Sequence, residues 1–286
     1  MNTADIPALG VGIGWRTEIS GAIMDHLDRI DWCELIAEHY IDVPHDQLEQ
    51  IAAISTQVPL VPHGVDLSIG TDGPLDEPYL SGLKLLIDAV HAPWHTDHLC
   101  FTRVPGYNLG QLGPLQFSDH SVDIVARHAA RVKAICQKPF LLENITYGFV
   151  VPGSTLTEAE FITRVLTTAD VGLLLDVTNL LINSENHGYD VYEYLDTIPM
   201  ERVVQLHMAG GYHDGRKWVD SHSYPVPDAV FDLMEHILGR ADVKGILLER
   251  DANFPAEFSE ILDELARARE LFTAAAQKRQ HALQYT

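Results

Sequence analysis

Short apolar runs without polar alternation recur along the chain, separated by longer stretches in which apolar residues return every three or four positions. Eight such runs stand out: Gly10–Trp15, Asp31–Glu38, Pro59–Leu67, His95–Phe101, Pro139–Asn144, Val171–Asn179, Arg202–Ala209 and Val243–Asp251. A continuous apolar run of this length is the pattern of a parallel strand covered on both faces. The stretches between them predict helices over 18–29, 45–56, 78–92, 118–137, 157–168, 189–196, 227–239 and 256–279. In 78–92, Leu83, Leu86, Ile87 and Val90 share one helical face. Ser118 is a candidate cap, and Thr157 with Glu160 forms the S/T-x-x-E signature of a capping box. Each strand is followed by a helix, which predicts an α/β fold, a closed TIM-type (β/α)8 barrel. An open doubly wound sheet is the competitor, but no G-x-G-x-x-G follows the first strand. No linker or shift in composition divides the sequence, so residues 1–286 read as a single domain.

The residues that end these strands are chemically unusual. Glu38 and His39 end the second, His63 the third, Asp97 and His98 the fourth, and Glu143 and Asn144 the fifth. Asp176, with Asn179 beyond it, ends the sixth, His207 the seventh, and Glu249 with Asp251 the eighth. These positions fall at the C-terminal face, where barrel active sites are built. Two long connections, 102–117 and 209–226, read as loops over that face, and the second adds Asp220 and His222, able to face the same way if locally extended. A lone histidine at a strand end is most often a hydrogen-bonded core or rim residue. A whole rim of acids and imidazoles is different, because a rim held by ion pairs needs Lys and Arg, and only Arg250 stands close.

Carboxylates brought together without cations repel one another, and a bound metal ion neutralises them. The candidate donors are His63, His98, Glu143, Asp176, His207, Asp220, His222 and Glu249. Imidazole and carboxylate without thiolate suit iron, manganese or zinc. One ion takes about four to six ligands, so this set suggests two or three ions, with Glu143, on a middle strand, as a candidate bridge. Glu34 and Glu38 read equally as inward-facing acids or as a core ion pair, and Trp15-Arg16 as an anion site or as packing with a surface charge.

Composition narrows the partners. The chain has 286 residues, 46% hydrophobic and 21% charged, enough for a large core without disulfide staples. Its 19 Lys and Arg against 41 Asp and Glu give a net charge of −22, which argues against nucleic-acid binding through a basic face. The three cysteines, Cys33, Cys100 and Cys136, form no CxxC pair and read as buried thiols. The opening MNTADIPALG carries no basic and apolar leader pattern, and no apolar run nears the ~18 residues of a membrane span. The expectation is a cytoplasmic protein with no membrane association.

The ordered succession HGVDLS (63–68), DHLCF (97–101), LLEN (141–144), LDVTN (175–179), HMAGG (207–211), DSH (220–222) with PVP (225–227), and LLERD (247–251) resembles the multinuclear non-heme iron-dependent oxidases, formerly the DUF692 family. GVGIGWR (10–16) and DWCELIAEHY (31–40) are similar to the family's first two strand ends. The resemblance spans about residues 10–255. It implies a TIM-type barrel with two or three irons, dioxygen as co-substrate, and modification of cysteines in a ribosomally synthesised precursor peptide, often with a small companion protein that presents the peptide. The family's iron ligands fall on the same eight donors, with Glu143, Asp176 and His207 at the catalytic centre and Asn179 as a further ligand or an orienting group. The alternative is a redox-neutral zinc or manganese barrel, a hydrolase or sugar isomerase.

Overall fold

The computed structural model describes residues 1–104 and 106–283. Eight parallel strands close into a barrel: β1 Gly10–Gly14, β2 Cys33–Ile36, β3 Leu60–Gly64, β4 His95–His98, β5 Phe140–Glu143, β6 Gly172–Asp176, β7 Val203–Met208 and β8 Gly245–Leu248. Each pairs with its sequence neighbours, and β1 pairs with β8 to close the ring. The expected (β/α)8 barrel is thus the fold.

Nine α-helices occur among the described residues: α1 Ser20–Asp25, α2 His45–Ser55, α3 Glu77–Ala89, α4 Asp119–Cys136, α5 Glu158–Ala169, α6 Val177–His187, α7 Val191–Thr197, α8 Asp228–Leu238 and α9 Ser259–Leu283. None is long and apolar enough to cross a membrane. Ser118 caps α4, and Thr157 and Glu160 close the capping box of α5, as their sequence positions predict.

The structure departs from the sequence reading at several elements, and Glu38 and His39 lie in a 3-10 turn, Ala37–His39, just beyond β2. The run Val171–Asn179 is not one strand: β6 stops at Asp176, whose Oδ1 accepts a hydrogen bond from Asn179 N (2.6 Å) and starts α6 with no intervening loop. Local capping overrides the β-preference of Val177 and Thr178. The connection 102–117 is largely a β-hairpin, Phe101–Val104 with Tyr107–Gly113, and 209–226 holds a short one, Tyr212–His213 with Trp218–Val219.

The barrel interior is layered. Its floor is Trp32, Val61, Trp94, Leu141, Leu174, Val204 and Leu247, closed from below by Ile6 and Leu9. Gly12 on β1 has no room for a side chain, because a Cβ there would lie 2.7 Å from the Trp32 ring. Side chains two apart on a strand share a face. Val61 is therefore followed inward by His63, Leu141 by Glu143, Leu174 by Asp176, and Leu247 by Glu249. On β7, Val203 pairs with Leu173 and Gln205 with Leu174, so Val204 is an extra residue. This bulge sends Val204 to the floor while Gln205 and His207 also reach the interior.

Candidate metal centre

Above the apolar floor lies a polar layer. Trp94 Nε1 donates to Gln205 Oε1 (2.7 Å), and Gln205 Nε2 donates to Glu34 Oε2 (2.6 Å). Glu34 in turn stands 3.1 Å from His207 Nε2, which makes it the buried group that sequence reasoning left undecided. Glu38 turns elsewhere, accepting from the Val65 and Asp66 amides and the Tyr79 hydroxyl.

At the C-terminal ends of the strands the predicted donors meet. Glu143 Oε2 lies 3.3 Å from Nε2 of both His63 and His98, while its Oε1 lies 3.1 Å from His207 Nδ1. Glu249 Oε2 is 3.1 Å from the same Nδ1 and 3.5 Å from His222 Nδ1. Asp220 Oδ1 lies 2.7 Å from His222 Nε2. Three overlapping groups bring one donor atom per residue within 4.8 Å of each other: His63, His98 and Glu143; Glu143, Asp176, His207 and Glu249; and Glu34, His63 and Glu249. Asp220 and His222 close the edge of this cluster. They reach it through a turn in which His222 takes a left-handed φ of 48°, rather than through the extended segment their spacing suggests.

The donors fit a metal centre on an observation independent of residue type. Glu143 Oε2, Asp176 Oδ2, Asn179 Oδ1, His207 Nδ1, Asp220 Oδ1, His222 Nε2 and Glu249 Oε2 are all buried without a hydrogen bond. Several are close enough for one but lack its geometry, so lone pairs lie side by side around common points. Buried polar atoms are rarely left so. The opposite nitrogen of each imidazole is held: His63 Nδ1 by Thr96 Oγ1 (2.7 Å), His98 Nδ1 by the Gly64 carbonyl (3.0 Å), His207 Nε2 by Glu34, and His222 Nδ1 by Asp251 Oδ2 (3.1 Å). One nitrogen anchored and the other free is the arrangement of metal-ligating histidines.

Electrostatics agree. Burial, then Glu143 and Asp220, push the Asp176 carboxyl well above its usual range. Burial, then His98 and His207, push His63 well below its own. For His207 burial acts downward but is outweighed by Glu249, Glu34 and Glu143. The nearest fixed cation, Arg16, is spent on Asp251 (2.7 Å) and lies 4.0 Å from Glu249, so it anchors an acid rather than offering an anion site. Arg250 pairs with Glu264 on α9 (3.1 Å). His95 belongs to none of this: it stacks on Phe140, and burial pushes its pKa down to about 3.

A closed parallel barrel with buried imidazoles and acids converging at its C-terminal end defines the class of a barrel enzyme with a site able to hold metal ions. Residues 10–273 match the family described as RiPP precursor modification enzyme MbnB/TglH/ChrH, and the chain belongs to this family, the DUF692 family its motifs resemble. Relatives named UPF0276 protein include those of Caulobacter vibrioides (34% identical over 266 residues, 92% of this chain and 95% of theirs) and Acaryochloris marina (34% over 249 residues, 86% and 89%). Similar solved structures include a D-psicose 3-epimerase from Clostridium cellulolyticum (TM-score 0.58, 13% identity, covering 93% of this chain and 99% of that one) and endonuclease IV from Thermus thermophilus (TM-score 0.57, 14%, 94% and 99%). At that identity the likeness is one of fold.

Proposed function

We propose that this enzyme is an iron-dependent oxidase that uses dioxygen to modify cysteine residues of a ribosomally synthesised precursor peptide. The single observation that carries the reading is the set of unpaired, mutually facing donor atoms at the barrel mouth. In this reading His63, His98, Glu143, Asp176, His207, Asp220, His222 and Glu249 hold two or three irons, Asn179 serves as a further ligand or orienting group, and Glu143, Asp176 and His207 form the catalytic centre. Iron, when bound, supplies a Lewis acid for the substrate thiolate and the electrons that reduce dioxygen.

The chain's own residues supply the rest. Glu143 faces two imidazoles with one oxygen and His207 with the other, the disposition of a bridge. Thr96, the Gly64 carbonyl, Glu34 and Asp251 hold the four rings with one nitrogen of each turned to the cluster. Asp220 and His222, about one-fifth exposed where Glu143 and His207 are sealed, mark the side from which a thiol enters.

The large exposed apolar side chains support a peptide and a companion protein as partners. Among the described residues, Val104, Tyr107, Phe149, Val150, Tyr192, Tyr212, Trp218 and Tyr224 all lie in segments that follow β4 to β7, and only Leu85 lies elsewhere. Tyr212 and Tyr224 form an exposed pair, ring centroids 5.7 Å apart, of the kind that anchors docking partners.

Protein purified without oxygen is expected to contain at least two irons per chain. It is expected to consume dioxygen when given a cysteine-bearing peptide encoded beside its gene, and to lose that uptake in Glu143→Gln. A single zinc, no oxygen uptake, and activity on a model ester or sugar would favour the redox-neutral barrel instead.

A further inference from the structure

A cavity of about 350 Å³ opens between the start of α5 and the α6–α7 corner, apart from the metal centre. One wall is Tyr147 stacked on His187 (centroids 4.2 Å apart), with Phe117 edge-on to Tyr147; another is Tyr189 stacked on Tyr194 (5.7 Å). The Glu158 carboxylate, only 7% exposed, also lines it. Its Oε2 accepts from the Tyr147 (3.0 Å) and Tyr189 (3.1 Å) hydroxyls, and its Oε1 has only a long contact from Asn183 Nδ2 (3.5 Å). Asp190 and Glu193 add exposed acids, and no Lys or Arg lines the cavity.

We propose that this aromatic cavity is a binding subsite for a lysine side chain of the substrate peptide. Tyrosine faces attract a cation, and a buried acid with no counter-charge gives it a partner. The choice of lysine over arginine follows from the acid's geometry. A guanidinium pairs most strongly with a carboxylate through both oxygens, but Oε2 is already filled by two hydroxyls. Oε1 remains, a single-point contact suited to an ammonium. The second requirement of an ammonium is another acceptor, and the Tyr194 hydroxyl, on a side chain 5% exposed, is buried without a partner at the same cavity. The helix α6 joins the two places: Asp176, at the metal centre, caps its N-terminus, and His187, at its last position, lines the cavity.

This inference rests on the peptide-substrate reading above, so its test reads binding rather than turnover. Metal-loaded full-length protein is titrated calorimetrically with Nα-acetyl-lysine methylamide and, in parallel, with the norleucine isostere that lacks the ammonium. The lysine probe is expected to bind at least tenfold more tightly than the norleucine probe. Glu158→Gln is expected to cost at least tenfold in lysine affinity with unchanged metal content. Tyr194→Phe, which keeps the cavity's shape, is expected to cost severalfold and decides the matter should Glu158→Gln fold poorly. Equal binding of the two probes, no binding of lysine, or full lysine affinity in Tyr194→Phe and Glu158→Gln would overturn the proposal. Neither probe carries a cysteine, so that failure is distinct from a failure of the oxidase reading.

Discussion

Oε1 of Glu34 stands 3.1 Å from Nε2 of His207, across the imidazole from the Nδ1 that faces Glu143 and Glu249. Glu34 is fixed in turn by Gln205 and, through it, by Trp94. The acid is placed to hold a proton on Nε2 when a metal takes Nδ1, and so to act as the positioning residue for this ring. Glu34→Gln preserves shape but removes the charge that holds the N–H. The expected result is a loss of about 10- to 100-fold in metal affinity, measured by competition with a chelator, with an unchanged circular dichroism spectrum. Unchanged affinity would mean that Glu34 only packs.

Metal removal has a thermodynamic signature. A ligand at about 1,000 times its dissociation constant stabilises the native state by about 4 kcal/mol. For a chain of this size each kcal/mol moves the melting temperature by roughly 2 °C. Two occupied sites then predict that stripping the metal lowers the melting temperature by on the order of 10 °C, and that Glu143→Gln loses most of this difference. Calorimetric scans with and without chelator decide it, and superimposable scans would remove the case for a metal-bound cluster.

Most of the barrel was legible because burial on both faces leaves a strand uniformly apolar, and because a two-residue step separates each floor residue from the donor above it, as Leu141 from Glu143 and Leu174 from Asp176. What was not legible depended on local competition or on space. The N-cap made by Asp176 ended a strand that Val177 and Thr178 would have continued. The bulge at Val204, which brings both Gln205 and His207 inward, leaves no mark in hydropathy. The two-residue spacing of Asp220 and His222 suggests that they face the same way, but the left-handed turn that joins them depends on the surroundings. Glu34 carried one readable signal, an acid in an otherwise apolar strand, and its partner lies 173 positions away.

The three cysteines are predicted to be chemically silent. All are buried, and burial alone pushes the Cys33 thiol up to about 12, and leads the causes that push Cys136 up to about 12. Burial, followed by Asp97 and Glu143, pushes the Cys100 thiol well above its usual range. Since the thiolate is the reactive form, native protein at pH 8 is expected to show no rapid reaction with a thiol-specific reagent, and all three thiols only after unfolding. A fast-reacting thiol in the native state would contradict this burial and compromise assays that follow a substrate cysteine.

The same carboxyl that is proposed to receive lysine should weaken the ligand-free fold at alkaline pH. Burial pushes Glu158 up to about 7, against hydrogen bonds from Tyr147, Tyr189 and Asn183 that pull it down. Its folded pKa is thus above its value of 4.5 in the unfolded chain, so the native state binds the proton more tightly. Stability is therefore lost as pH rises from about 4.5 to about 7, and levels off beyond. Between pH 5.5 and 8.5 the loss is roughly 1.5 pKa units, or about 2 kcal/mol, as an upper figure. Glu158→Gln, which cannot ionise, should escape it. Urea unfolding at the two pH values is expected to show the variant gaining on the unaltered protein by one to two kcal/mol, about half to all of that figure, at the alkaline end. A difference that stays constant with pH would mean that Glu158 is ionised throughout, its burial offset by the hydrogen bonds it accepts.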